Sequence, residues 1–80
     1  MINIYTISIC SHCKQIKEYC KENNIQYNEI NIEEEFKARS KLLAKGYMTV
    51  PVVEINDQFK IGDFDIVKEF IIENIGNIND

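Results

Sequence analysis

Proline occurs once and glycine three times in these 80 residues, which leaves no composition for a low-complexity or disordered chain. Long hydrophobic runs are missing as well. The apolar stretches span only a few residues each, so no segment can cross a bilayer and no membrane partner is expected. The opening residues, Met1-Ile2-Asn3-Ile4-Tyr5-Thr6, lack the basic start and extended apolar stretch of a signal peptide, and the expected location is the cytoplasm. Basic charge is scarce: 9 Lys and Arg stand against 13 Asp and Glu, for a net charge of −4. It is also unevenly spread, with +1 over residues 1–24, zero over 25–53 and −5 over 54–80. An acidic chain without a basic stripe cannot neutralise phosphates, which excludes nucleic acid as a partner. Cysteine is present three times, an odd number that does not suit a structural disulfide framework and points to catalysis or metal binding.

What remains is an ordinary globular composition, 45% hydrophobic and 28% charged. It supports one domain over residues 1–80 with one modest core. Residues 2–9 alternate apolar and polar with β-branched enrichment, a strand signal. From Cys13 the period becomes helical, with Cys13, Ile16, Tyr19 and Cys20 on one face and Lys14, Lys17, Glu18, Lys21 and Glu22 on the other. Asn23-Asn24 closes that helix, and residues 25–32 read as a second strand. Glu33-Glu34-Glu35 followed by Lys37, Arg39, Lys41 and Lys45 reads as a helix with acids first and bases last, the order that complements the macrodipole, and Gly46 is its stop. Two short runs, 50–55 and 58–61, flank Asn56-Asp57 as a hairpin with a two-residue turn. Asp63 or Asp65 caps a final helix over Ile66, Val67, Phe70 and Ile71, which Gly76 ends. The order βαβαββα implies an α/β fold: a parallel pair from the first βαβ unit, extended by an antiparallel hairpin into a four-stranded mixed sheet with flanking helices.

Chemistry concentrates at Cys10-Ser11-His12-Cys13, where the first strand gives way to the first helix. Residues three apart on a helical turn have Cα atoms roughly 5–6 Å apart, within disulfide reach. Cys10 falls at or next to the N-cap, where free backbone N–H groups and the positive helix end stabilise a thiolate below the free value of about 8.5. The thiolate is the species that attacks disulfides. Cys13 lies one turn further in, facing inward. The expected division is that Cys10 attacks and Cys13 resolves. The competing reading is a zinc site, which needs four ligands and usually a second cysteine pair. Only Cys20 and His12 remain to serve, they form no such pair, and no metal ligand set is assigned. Cys20, too far along the helix to reach either partner, reads as a small core hydrophobe. Tyr47, Phe59 and Phe64 read first as core or rim aromatics.

The chain resembles the glutaredoxins, and the closely related redoxins that donate electrons to ribonucleotide reductase, over nearly its whole length. The resemblance rests on Ile4-Tyr5-Thr6 before the Cys-x-x-Cys motif, on Gly46-Tyr47-Met48-Thr49-Val50-Pro51-Val52-Val53 and on Ile61-Gly62-Asp63. It implies a thioredoxin-like fold and a glutathione-dependent disulfide oxidoreductase. Glutathione would be the reductant, disulfide-containing proteins the substrates, and no tightly bound cofactor is needed. It further implies that Pro51 is cis beside the cysteines, that Thr49 and Val50 belong to the glutathione or substrate site, and that Gly62, Asp63 and Phe64 hold the γ-glutamyl carboxylate. The expected state is a monomer. Two positions depart from the pattern. Ile7 stands where the family usually has a Lys or Arg for a glutathione carboxylate, and one glycine is missing before Asp63. Ser11-His12 replaces the common Pro-Tyr. His12 reads as a plain exposed residue or, when protonated, as a charge that tunes Cys10. Ser11 resembles the residue of members that share a 2Fe–2S cluster through glutathione, the competing class. Ribonucleotide reductase and thioredoxin reductase are the further candidate partners.

Overall fold

The computed structural model describes residues 1–78. Its elements run β1 (Ile2–Thr6), α1 (Ser11–Glu22), β2 (Asn28–Asn31), α2 (Phe36–Ala44), β3 (Val52–Ile55), β4 (Gln58–Ile61) and α3 (Phe64–Ile78), the order read from the sequence. The four strands form one mixed sheet in the order β2-β1-β3-β4. β1 pairs parallel with β2 and antiparallel with β3, which pairs antiparallel with β4.

Strand alternation divides the core between the two faces of this sheet. Ile2 and Ile4 of β1, with Val53 and Ile55 of β3, pack under Ile16 and Cys20 of α1 and Val67 and Ile71 of α3. Tyr5 and Val52 point the other way, onto Leu42 of α2, with Tyr47 and Phe59 packed alongside. Polar groups on both faces are tied down. On the α1 side, the buried Thr6 hydroxyl donates to Glu29 at 2.9 Å and Lys17 donates to the same carboxylate oxygen at 2.8 Å, joining helix and strand. On the α2 side, Glu54 accepts from the Tyr5 hydroxyl at 2.6 Å and from Asn3 at 3.2 Å.

Among the described residues, Glu54 is the one nearly buried carboxylate, and it makes stability depend on pH. Burial pushes its acidity towards the neutral form, but the bonds from Tyr5 and Asn3 and the nearby Lys41 prevail and hold it below the usual carboxylate range. A lowered folded value means that the contribution is present above the unfolded value of about 4.3 and is lost as pH falls through the folded one. Tyr5→Phe removes the shortest of these bonds and should cost about 1–2 kcal/mol at pH 7. Urea unfolding should also show a shallower loss of stability below pH 4 in this variant. An unchanged acid limb would show that Tyr5 does not hold the carboxylate ionised.

Several boundaries differ from the sequence reading, among them the hairpin's first strand, which starts at Val52 rather than Val50, and the second strand, which ends at Asn31 rather than Ile32. The first strand ends at Thr6 because its partners stop there: Thr6 pairs with Asn31, the last residue of β2, and Pro51, which has no N–H to donate, precedes Val52 opposite Tyr5. Residues 25–27 lie outside β2. The Ile25 N–H bonds the Cys20 carbonyl at 2.8 Å and closes the end of α1 through Asn24 at φ 56°, while Ile25 and Tyr27 pack on the core. Glu33 and Glu34 do not open α2, which starts at Phe36. The Glu34 and Glu35 N–H groups instead donate to the Asn31 carbonyl in a tight turn. Gly76 does not stop α3, which runs on to Ile78.

Other expectations hold in detail. Gly46 leaves α2 at φ 86°, with Tyr47 N–H bonded to the Leu42 carbonyl at 2.9 Å. Asn56 and Asp57, both at positive φ, make the two-residue hairpin turn. Asp63 is the cap of α3, its carboxylate accepting the Ile66 N–H at 3.1 Å.

Candidate active site

Where β1 ends, residues 7–9 lead to Cys10 and into α1. Cys10 has extended dihedrals, φ −158° and ψ 109°, and occupies the N-cap, with the Cys13 N–H directed at its sulfur at 3.2 Å. Cys10 and Cys13 are joined as a disulfide with Cα atoms 5.3 Å apart. Cys10 is half-buried, whereas Cys13 is only 1% exposed and seated in the first helical turn. Ser11 and His12 between them are exposed.

The other predicted residues divide into two groups. Thr49 and Val50 share with Cys10, Ser11 and His12 the lining of a groove of about 780 Å³. The Val50–Pro51 bond is cis, as the resemblance implies, and Pro51 is fully buried and not itself a lining residue of the groove. Gly62, Asp63 and Phe64 are not among the lining residues. Gly62 sits at φ 154°, where a Cβ would come within 2.9 Å of Ile66, Asp63 caps α3, and Phe64 packs edge-on against Tyr19. A second groove of about 790 Å³, bordered by Met1, the α1–β2 turn and Ile75, contains none of the predicted residues.

The groove beside Cys10 is largely apolar. Ile7, Ile9, Leu42, Leu43, Met48 and Val50 all contribute, and Ile9 and Met48 are 91% and 81% exposed. Its fully charged lining residues are Glu33 and Arg39. Neither stood out in the sequence as part of the site, because each comes from α2 or the turn before it, more than twenty positions from Cys10. Only their places in the fold bring them there. With Ile7 in the wall, Arg39 is the one full positive charge available in this groove to an anionic ligand.

Cys20 is fully buried in the α1–α3 core, and burial pushes its thiol up to about 11. It should stay silent to iodoacetamide in the folded, reduced protein at neutral pH, while modification maps to the Cys10-Cys13 pair. Peptide mapping after a brief exposure tests this, and early label on Cys20 would contradict its place in the core.

A family model described as Glutaredoxin matches residues 2–60. The glutaredoxin-like protein NrdH of Lactococcus lactis subsp. cremoris is 33% identical over 57 residues, covering 71% of this chain and 79% of that protein. An uncharacterized glutaredoxin-like 8.6 kDa protein in a rubredoxin operon of Clostridium pasteurianum is 33% identical over 63 residues, 78% of this chain and 84% of its own length. Among solved structures, the glutaredoxin-like NrdH-redoxin from Escherichia coli, whose activity profile is described as thioredoxin-like, superposes with a TM-score of 0.75 at 27% identity. That alignment covers 85% of this chain and 91% of the other.

Proposed function

Since the chain belongs to the glutaredoxin family of thiol–disulfide oxidoreductases, we propose that it reduces disulfides through Cys10 as attacking thiolate and Cys13 as resolving thiol. The observation that carries this reading is the placement of Cys10 at the N-cap of α1, half-exposed on an apolar groove, with Cys13 buried one turn behind it. The reaction balances as two exchanges. The Cys10 thiolate attacks one sulfur of the substrate disulfide, forming a mixed disulfide and expelling the other sulfur as a thiolate. Cys13, on losing its proton, then attacks the Cys10 sulfur, releases the second substrate sulfur and leaves Cys10–Cys13 oxidised. Two electrons have passed to the substrate, and an external dithiol or two thiols must return them. A reducing compartment such as the cytoplasm suits a dithiol that has to be regenerated in this way.

Glutathione is the donor that the family resemblance names first, and the place of Val50 in the same groove as Cys10 supports it. Two observations favour a second donor, a reductase of the thioredoxin reductase type. Ile7 removes a cation from the groove wall, and the Escherichia coli relative is described as thioredoxin-like in activity. Ribonucleotide reductase is a fitting disulfide substrate on the same grounds. Turnover on an insulin disulfide, driven in parallel by glutathione with its reductase and by thioredoxin reductase, tests the proposal. Activity from either donor that disappears in Cys10→Ser supports it, and no activity from both rejects it.

A further inference from the structure

Glu33 and Glu34 of the acidic run lie ahead of α2, whose N-cap is Glu35, and Glu33 makes one of the shortest side-chain bonds to the main chain. Its carboxylate accepts the Ser8 N–H at 2.7 Å. Ser8 lies two residues before Cys10, in the segment that has left the sheet. The same serine is held a second time, by Asn31 Nδ2 donating to its hydroxyl at 3.3 Å. Asn31 also fixes the clamp itself, because its Oδ1 accepts the Glu33 N–H at 2.9 Å and its carbonyl accepts the next two N–H groups. Beyond the last ladder bond, from Ile32 N–H to the Thr6 carbonyl at 2.9 Å, the bonds to Ser8 are what tie residues 7–9 to the rest of the fold.

We propose that Glu33, preset by Asn31, is a positioning residue that fixes the 7–9 segment and so seats Cys10 over the N-terminus of α1. The inference rests on the reading of Cys10 as the attacking thiolate. The interaction of a thiolate with a helix start falls off within the first turn, so a loop that frees Cys10 to swing away loses much of its activation. A carboxylate close to Cys10 also acts in the opposite sense, since its negative charge disfavours a thiolate. The position of the hydrogen bond and the charge therefore predict opposite consequences when Glu33 is changed, and this makes the role separable. Arg39, which faces Glu33 from α2 and helps keep it ionised after the Ser8 bonds, partly offsets the charge.

The test compares Glu33→Ala, which removes both acceptor and charge, with Glu33→Gln, which keeps an acceptor oxygen and removes only the charge. The readout is the pH profile of Cys10 alkylation in the reduced proteins, located by peptide mass spectrometry, together with hydrogen exchange of the Ser8 amide. In Glu33→Ala, Cys10 should alkylate roughly two- to fivefold more slowly at pH 6, its profile should move to higher pH, and the Ser8 amide should lose protection. Glu33→Gln should stay within about twofold of the parent. If both variants react faster than the parent, charge rather than positioning is what Glu33 contributes, and the proposal fails. It fails equally if Glu33→Ala matches the parent. An unactivated Cys10 in the parent protein itself would instead reject the functional reading, so the two failures are distinguishable.

Discussion

Replacing Cys10 with serine is expected to abolish disulfide exchange, with turnover falling by on the order of 10³-fold or more. A serine hydroxyl is not ionised at neutral pH and does not attack a disulfide sulfur, and no second thiol can take over. Cys13 is 1% exposed and Cys20 fully buried, so neither can receive a substrate disulfide at the surface. Cys13→Ser should behave differently. Exchange with a glutathione mixed disulfide needs only one thiol on the enzyme, because a second glutathione can resolve the intermediate, and that activity should survive in part. Reduction of a protein disulfide should be lost, since the mixed disulfide with Cys10 has no internal thiol to release it. Insulin reduction measured beside deglutathionylation of a peptide separates the two variants. Measurable protein-disulfide reduction in Cys10→Ser, or iodoacetamide reacting first with Cys13 at pH 6, would reverse the assignment.

The elements that the sequence made legible are those whose signals are local. Alternation over residues 2–6, helical spacing from Cys13 to Cys20 and the Asn56-Asp57 turn are decided by residues within a few positions of one another, and all three reappear in the fold. Some boundaries shifted because of distant partners, and others because two local signals compete. Nothing in Ile7-Ser8-Ile9 says that the strand must stop, because the limit is set by the end of β2 at Asn31 and by Pro51 in front of β3. The acidic run 33–35 matches the electrostatics of a helix start, but Asn31 competes for the same backbone N–H groups and draws them into a turn. Gly76 shows the converse. A glycine inside a helix costs only about 1 kcal/mol, too little to end α3.

At the site the same division holds. Cys10 and Cys13 follow from a motif at a strand-to-helix junction, and the N-cap geometry is what that junction dictates. The groove could not be read in this way, because α2 folds Arg39, Leu42 and Leu43 against residues 7–12 from a distance in sequence. Exposure of Ile9 and Met48 was equally hidden, since an apolar residue in a sequence reads as core until the fold leaves it outside. Under the proposed function, a polypeptide with apolar side chains next to its disulfide would meet apolar surface there, whereas a small doubly carboxylated thiol would meet one guanidinium and a neighbouring carboxylate.

Ile7→Lys is therefore expected to lower the KM for glutathione by roughly tenfold or more while changing kcat little. A charge-assisted hydrogen bond of the kind a lysine makes to a carboxylate contributes about 1.5–3 kcal/mol, which corresponds to about one to two orders of magnitude in affinity. Ile7 borders the groove alongside Cys10, so a lysine there can extend towards a ligand bound at the sulfur. Its ammonium would also lie near Glu33, and part of the gain will be spent on that neighbour. Glu33→Gln in the Ile7→Lys background should recover it. With the parent protein, glutathione should sustain real turnover at a high KM, because Thr49 and Val50 still line the groove with Cys10. The thioredoxin reductase rate serves as the control, since a cation for glutathione has no reason to raise it. If Ile7→Lys leaves the glutathione KM unchanged while thioredoxin reductase drives efficient turnover, the groove is built for a protein donor, and the chain works as a reductase-fed redoxin.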